Sequence, residues 1–124
     1  MTLAAWLGIA LGSGTGAASR TLLVLQLRER RGLPMWLVLS LLNMAGSFLA
    51  GVLVAQLDRH QIVHATLVTG FLGGFTTFSG FAVECIELWQ RGRRGLSLTF
   101  AALCPLLCML CAVAGFRLLM REVA

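Results

Sequence analysis

The chain has 124 residues and a mass of 13.3 kDa, which is room for one domain. Hydrophobic residues make up 58% of it, charged residues make up 12%, and the mean hydropathy is +0.87. Soluble domains are about one quarter charged, so this composition argues against a soluble enzyme domain, a disordered chain and a soluble nucleic-acid binder. The ten basic residues are all arginine and lie mainly between long apolar runs, as charges that flank membrane spans do.

Charged residues divide the chain into four long apolar stretches. About 20 helical residues, at roughly 1.5 Å each, cross a hydrocarbon core about 30 Å thick, and each stretch is long enough to do so. We therefore predict an all-α integral membrane protein with four transmembrane helices in a single membrane domain, residues 1–124. The predicted helices are residues 3–27, 34–57, 61–90 and 95–118. The first stretch has no basic residue before its apolar run, so we expect a retained helix rather than a signal peptide.

Glycine repeats on the first and third stretches favour close contact between helices. Gly8, Gly12 and Gly16 repeat every four residues, and Gly70 and Gly74 have the same spacing, which lets helix backbones approach one another in membranes. These glycines either pack helices within one chain or, taken together, indicate a tight oligomer. Four helices fill their own centre with side chains, so we expect transport to need more than one copy.

Two polar residues in the first half of the chain are informative, because a polar group in a bilayer costs free energy unless it has a partner or a function. Arg20 directly follows the uncharged run Met1–Ser19. It is either an interface anchor or a charge that draws anions into a vestibule. Asn43 lies near the middle of the second stretch, where its amide either bonds another helix or donates to an anion in a pore.

The third stretch places four glycines and three hydroxyl residues at mid-membrane depth, in the run Gly70-Phe71-Leu72-Gly73-Gly74-Phe75-Thr76-Thr77-Phe78-Ser79-Gly80-Phe81. Glycine costs about 1 kcal/mol relative to alanine inside a helix, so we predict a break here rather than a glycine-rich helix held straight by packing. Backbone groups freed at a break must be buried against protein or bind an ion. Phe78 and Phe81 flank Ser79, and their positive ring edges suit a small dehydrated anion.

Three segments in order form a distinctive pattern, namely Gly12-Ser13-Gly14-Thr15-Gly16-Ala17 leading to Arg20, Asn43 with Gly46-Ser47-Phe48, and Gly73-Gly74-Phe75-Thr76-Thr77-Phe78-Ser79 leading to Phe81 and Glu84. With these segments the chain resembles, over its full length, the bacterial fluoride channel family Fluc (CrcB). The resemblance implies a fluoride-selective channel subunit that exports fluoride passively and confers fluoride resistance. It also implies an antiparallel, dual-topology dimer in the cell (inner) membrane.

The resemblance assigns roles to individual residues. The backbone carbonyls of Gly73 and Thr76 are expected to hold a structural sodium ion at the dimer centre. Four residues are expected to line the fluoride pore, namely Asn43, Phe78, Ser79 and Phe81. Arg20 is expected to line or support the vestibule. The expected partners are fluoride, the lipid bilayer and a second copy of the chain or a related chain.

Two features depart from the family pattern. Gly80 stands where the family usually has threonine. On the fourth helix, the possible pore face consists of Phe100, Cys104 and Cys108, where the family tends to carry hydroxyl groups, and a thiol is a weaker donor than a hydroxyl. The alternative function is therefore a non-conducting or half-pore subunit of a heterodimeric fluoride channel.

The arginines are unevenly distributed between the predicted loops. The first and third loops contain six, namely Arg28, Arg30, Arg31, Arg91, Arg93 and Arg94. The second loop and the C-terminus contain three, namely Arg59, Arg117 and Arg121. The positive-inside rule then places the first and third loops in the cytoplasm. Our hypothesis is that this chain favours one orientation and pairs with an oppositely biased relative.

A small four-helix cation or multidrug exporter is a further alternative, and it requires a carboxylate buried among the helices. The five acidic residues are all predicted at helix ends, namely Glu29, Asp58, Glu84, Glu87 and Glu122, so this alternative is the weaker one. An enzyme is not expected, since no nucleophile with a base, metal cluster or phosphate loop is found.

Three smaller features have ordinary interpretations. Cys104, Cys108 and Cys111 follow helical spacing and predict a packing face, not a cluster ligand set. Pro105 predicts a kink in the fourth helix. His60 and His64 are expected to be solvated or packed rather than bound to a metal.

Overall fold

The computed structural model describes residues 2–57 and 61–120, and the regular structure of this part of the chain is entirely helical. Helix α1 is Leu3–Arg31, α2 is Met35–Gln56 and α6 is Arg94–Met120. Between α2 and α6 lies a composite third span, Ile62–Gln90. Several residues discussed above lie outside the described ranges, namely Asp58, Arg59, His60, Arg121 and Glu122.

The third span consists of two arms. The first arm contains α3 (Ile62–His64), a π-helical segment (Ala65–Leu72) and α4 (Gly73–Phe75), and the second arm is α5 (Phe78–Gln90). Between the arms the backbone is extended, with φ −79° and ψ 156° at Thr76 and φ −144° and ψ 117° at Thr77. The predicted break is therefore confirmed, and Thr76 and Thr77 form it.

Helix α1 is longer than predicted. It was expected to end at residue 27, but the cluster Arg28–Arg31 forms its last turn. Gly32 ends the helix in the left-handed region at φ 60°, and its N–H donates to the Arg28 carbonyl at 2.9 Å. Glycine tolerates this conformation at a helix C-terminus, and arginine is favourable near the negative end of the helix dipole. The basic cluster therefore extends the helix instead of forming a loop.

Three of the four predicted spans are both long and apolar enough to cross a membrane, namely α2, the third span and α6. Helix α1 has 29 residues, which is about 44 Å and sufficient in length. Its glycine, serine and threonine residues lower its hydropathy, so α1 is less apolar than the other three spans. In α6 the helix continues through Pro105 from Arg94 to Met120.

The helices form two neighbouring pairs: α1 packs on the first arm of the third span, and α2 packs along α6. Two buried clusters hold the third span against the α2 and α6 pair. One consists of Leu39, Leu88, Phe100 and Cys104, and the other of Val38, Leu42 and Phe75. The first cluster anchors α5 and the second anchors α4, so each arm is held separately against α2 on its own side of the break.

The glycines of α1 allow its backbone to touch the first arm. A Cβ atom at Gly16 would lie 2.9 Å from the Phe75 nitrogen, and one at Gly12 would lie 2.9 Å from the Phe71 nitrogen. The close helix contact predicted from the glycine repeats is therefore confirmed. It lies within a single chain, however, so these glycines are no argument for an oligomer.

We predict that Gly16→Ala lowers the free energy of unfolding by about 1–3 kcal/mol, because the added methyl group forces the α1 and first-arm backbones apart. The matched control is Gly14→Ala, since nothing lies within 4 Å of a Cβ built at Gly14. This control is expected to be neutral or stabilising by up to about 1 kcal/mol. Equilibrium unfolding of the detergent-solubilised protein measures both values, and equal effects would contradict the close packing at Gly16.

Candidate functional site

Asn43 of α2 binds the backbone of the break. Its side-chain Nδ2 donates to the Thr77 carbonyl at 3.2 Å, and the Thr77 N–H donates to Asn43 Oδ1 at 2.9 Å. Asn43 is buried. The amide therefore satisfies both polar backbone groups of Thr77. Of the two roles considered for Asn43 in the sequence, this is the hydrogen bond to another helix. One further Nδ2 N–H is available for the pore role predicted from the sequence.

Thr77 is also the N-cap of α5. Its Oγ1 accepts from the Gly80 N–H at 3.0 Å and lies 3.2 Å from Ser79 Oγ, which is the arrangement that satisfies an orphan donor at a helix start. A Cβ atom at Gly80 would lie 3.0 Å from Thr77 Cγ2 and 3.6 Å from Leu39 Cδ2. The capping threonine therefore leaves little space for a side chain at position 80.

The break frees from helical hydrogen bonding two backbone carbonyls that the family resemblance implies as sodium ligands. In a continuous helix the Gly73 carbonyl would accept from the Thr77 N–H, and the Thr76 carbonyl from the Gly80 N–H. Those donors are bound instead to Asn43 Oδ1 and Thr77 Oγ1. Gly73 and Thr76 line one open concavity of about 540 Å³. The chemistry of these oxygens suits a hard cation, although such cations take about six or more oxygen ligands, and one chain supplies two here.

Arg20 extends from α1 to the break. Its Nη1 donates to the Thr76 carbonyl at 3.3 Å, and the residue lines the same concavity as Gly73 and Ser79. The side chain is half-buried. The structure therefore places the guanidinium of Arg20 beside the break and not at a distant interface.

A row of aromatic rings leads from the protein surface to the core. The ring centroids of Phe78 and Phe81 are 5.8 Å apart, and those of Phe81 and Phe100 are 5.0 Å apart. Phe78 is 80% exposed in the single chain, whereas Phe100 is buried in the first core cluster. The rings of Phe78 and Phe81 therefore lie together beside the break, and Phe81 packs against the buried ring of Phe100.

A cavity of about 270 Å³ brings most of the predicted pore residues together. Its lining includes Asn43, Ser47, Phe78, Phe81, Cys104 and Cys108. Ser79 does not line this cavity and lies instead at the concavity that contains Arg20. Phe100, although predicted on the same helix face as the two cysteines, packs in the core. Ser47 was not predicted as a site residue. It lies one helical turn after Asn43, and this spacing could have placed it on the same face of α2.

Glu84 corrects the expectation that all acidic residues lie at helix ends. It lies inside α5 and is 5% exposed. It lines a second cavity of about 460 Å³ together with Arg28, Arg91, Arg93 and Glu87. The sequence segmentation missed this because it marked every charge as a boundary, whereas Glu84 is one helical turn beyond Gly80 on the face that packs on α2.

The fold and the site together define a small helical membrane protein with a broken span and polar groups around the break. Comparison with known proteins specifies the family. The profile described as "CrcB-like protein, Camphor Resistance (CrcB)" matches residues 7–116. The chain therefore belongs to the CrcB-like protein family.

Three relatives show how far the similarity extends, and each is named "Fluoride-specific ion channel FluC". The protein of Deinococcus radiodurans is 42% identical over 121 residues, which cover 93% of this chain and 94% of the relative. The protein of Legionella pneumophila (strain Lens) is 38% identical over 96 residues, covering 74% and 72%. The protein of Francisella philomiragia is 31% identical over 121 residues, covering 90% and 92%.

We predict that Asn43→Ala destabilises the protein, because it leaves the Thr77 N–H and carbonyl without partners at about 1–3 kcal/mol for each buried group. The matched control is Thr21→Ala, since the exposed Thr21 hydroxyl donates only within its own helix, to the Ala17 carbonyl at 2.9 Å. Unfolding in detergent measures the difference. Equal stability of the two variants would show that the amide does not hold the break.

Proposed function

We propose that this chain is a fluoride-selective ion channel subunit that lets fluoride leave the cell passively across the cytoplasmic (inner) membrane. Three named fluoride channels in the same family support this proposal. The structural observation that carries it is the cavity beside the break, where Asn43, Phe78 and Phe81 meet. The function is ion transport and not catalysis.

The cavity offers an anion donors without a full positive charge in the lining itself. An amide N–H of Asn43 and the positive ring edges of Phe78 and Phe81 are such donors. Binding by several weak donors holds an anion and still allows it to leave, as conduction requires. The guanidinium of Arg20 does not line this cavity. It lines the neighbouring concavity, which also contains Phe78, and from there it attracts anions towards the break.

A passive route is sufficient for export. Hydrogen fluoride is a weak acid whose neutral form crosses bilayers and then ionises in the less acidic cytoplasm, so fluoride accumulates in cells in acidic surroundings. The inside-negative membrane potential drives the anion outwards with about 2.3 kcal/mol per charge for each 100 mV. The protein needs no chemical fuel for this function, and a water-excluding polar path is enough.

We further propose that α1 completes a four-helix transmembrane bundle and that two subunits form an antiparallel, dual-topology dimer. Two features of the single chain support a partner. Phe78 is 80% exposed, and the concavity that contains the freed carbonyls of Gly73 and Thr76 is open. A second copy would double the number of these carbonyls to four and so bring the count closer to the about six oxygens that hard cations take.

The sodium ion expected from the resemblance belongs to this dimer. When bound, it would supply a positive charge that offsets the partial negative charge of the carbonyl oxygens. The residues that would hold it are Gly73 and Thr76, through backbone oxygens, while Arg20 donates to one of those oxygens at 3.3 Å. That contact moderates the partial negative charge of the Thr76 carbonyl, so Gly73 is the stronger ligand of the pair.

A half-pore subunit in a heterodimer is the second candidate function. Two observations favour it. Thiols of Cys104 and Cys108, which are weak donors, line the cavity. In addition, Arg28, Arg91 and Arg93 line one cavity, so the basic residues of the first and third loops lie at one end of the bundle and favour a single orientation.

The exporter alternative is not favoured. Glu84 is buried, as a proton-coupled exporter requires of a carboxylate. It shares its cavity, however, with Arg28, Arg91 and Arg93, and such a basic surrounding repels cationic substrates. The family relationship also points to fluoride transport.

We predict that Phe78→Ile or Phe81→Ile reduces fluoride efflux from proteoliposomes at least 100-fold, because isoleucine has no aromatic ring edge. A fluoride electrode outside vesicles that contain only this protein measures the efflux. The matched control is Phe116→Ile, since Phe116 is 40% exposed on α6 and does not line the cavity. Control efflux should equal that of the wild type.

The same measurement separates the candidate functions. Fast efflux from the unmodified chain supports a self-sufficient channel. Efflux that appears only after a related chain is added supports the half-pore subunit. Efflux that is unchanged in both the Phe78 and Phe81 variants would contradict the assignment of the aromatic pair.

For the half-pore candidate, in which the chain pairs with an oppositely oriented relative, we predict that it inserts mainly in one orientation. The last turn of α1, which contains Arg28, and the loop that contains Arg93 would then lie in the cytoplasm. Labelling of a C-terminal cysteine tag with a membrane-impermeant thiol reagent in cells measures the orientation, in a background in which the four native cysteines are replaced. At least three quarters of the tags are expected to react from outside. Equal labelling from both sides would show that the arginine bias does not control insertion.

A further inference from the structure

We propose that Cys104 and Cys108 form a binding site for one thiophilic divalent metal ion, such as Hg²⁺, and that the bound ion closes the cavity beside the break. The effect on transport rests on the fluoride channel function proposed above. The binding itself does not, because it depends only on the two thiols and their surroundings.

The positions of the two cysteines suit a single shared ion. They are one turn apart on α6, and both line the cavity of about 270 Å³. Side chains at this helical spacing have Cβ atoms about 5–6 Å apart. Two sulfur atoms that share an ion, with metal–sulfur bonds of about 2.3 Å as for zinc, need to be no more than about 4.6 Å apart. Ordinary side-chain rotation therefore brings both sulfurs to one ion.

Access to the site differs between the two residues. Cys104 is 3% exposed, whereas Cys108 is half-buried. All four cysteines, which lie in the described part of the chain, are free of disulfide bonds. Cys108 is therefore the first thiol that an entering ion meets. Cys104 belongs to the first core cluster but also lines the cavity, so an ion bound to Cys108 reaches Cys104 from inside the cavity.

The charge balance selects the class of ion. Each thiol releases one proton, and each sulfur then donates an electron pair to the metal without any change of oxidation state. Two thiolates and one divalent cation form a neutral complex, which matters because burying a net charge is expensive. Thiolates prefer soft metals, whereas Mg²⁺ and Ca²⁺ require oxygen ligands and a structural zinc site requires four ligands. A soft ion that accepts two sulfurs fits best.

The site lies among the residues proposed to conduct fluoride. Asn43, Phe78 and Phe81 line the same cavity as the two thiols. An ion with its two sulfur ligands occupies space between the amide and the aromatic pair. Metal binding is therefore expected to stop efflux, and the chain would be sensitive to thiophilic metals through its own side chains.

The two remaining cysteines provide matched controls. Cys85 and Cys111 do not line this cavity, and Cys85 packs at the edge of the first core cluster. A background that contains Cys85→Ala and Cys111→Ala retains only the proposed pair. In this background we add Cys108→Ala, and separately Cys104→Ser, which keeps a small polar side chain at the buried position.

The experiment titrates the purified background protein with HgCl₂ and records sulfur-to-mercury charge-transfer absorbance and proton release. We expect one ion and two released protons per chain. Half-saturation should need at least 100-fold more Hg²⁺ after Cys108→Ala or Cys104→Ser. The same preparations are then placed in liposomes, where Hg²⁺ should stop fluoride efflux from the background protein and leave efflux from its Cys108→Ala derivative unchanged.

Each outcome has a distinct meaning. Binding that is equally tight in the background protein and in both derivatives would overturn the metal site, whatever the efflux. If the ion binds both sulfurs but a measurable fluoride efflux continues, the proposal that the bound ion closes the cavity is wrong. Two-sulfur binding in a protein that shows no efflux before the metal is added would refute a self-sufficient channel and leave the metal site supported.

Discussion

Backbone polar groups cannot remain without partners in hydrocarbon, and the break at Thr76 and Thr77 creates several of them. The Asn43 amide binds both the N–H and the carbonyl of Thr77, with N···O distances of 2.9 and 3.2 Å. Arg20 donates to Thr76, and the Thr77 hydroxyl caps α5. Side chains from α1, α2 and the break itself therefore make an interrupted span compatible with a membrane. The rest of the structure serves to hold these partners in place.

The packing explains why the break has a defined geometry. Glycines such as Gly16 bring α1 against the first arm, while Leu39 and Leu88 hold the second arm against α2. With both arms fixed, two neighbouring cavities form at the break. One contains Gly73 and the other contains Phe81, and both are lined by Thr76, Thr77 and Phe78. The residues proposed to bind a cation and those proposed to bind an anion therefore meet at the break.

Local sequence was sufficient to predict the break, because glycine and threonine are poor helix formers, and to predict the close approach of α1. It was not sufficient to identify the partners of the break. Asn43 and Thr77 are 34 residues apart, and hydrophobic periodicity does not show which of two functions a buried amide performs. Glu84 was missed because charge was treated as a boundary, and the core position of Phe100 depends on three helices meeting. Both are tertiary effects with no local pattern.

An experimental structure of the protein in lipid tests the central claim most directly, through the backbone at residues 76 and 77 and the position of the Asn43 amide. The account predicts extended backbone at both residues, with the Asn43 amide bound to the N–H and carbonyl of Thr77. A third span in which the Thr77 N–H donates to the Gly73 carbonyl, as in an uninterrupted helix, would contradict it.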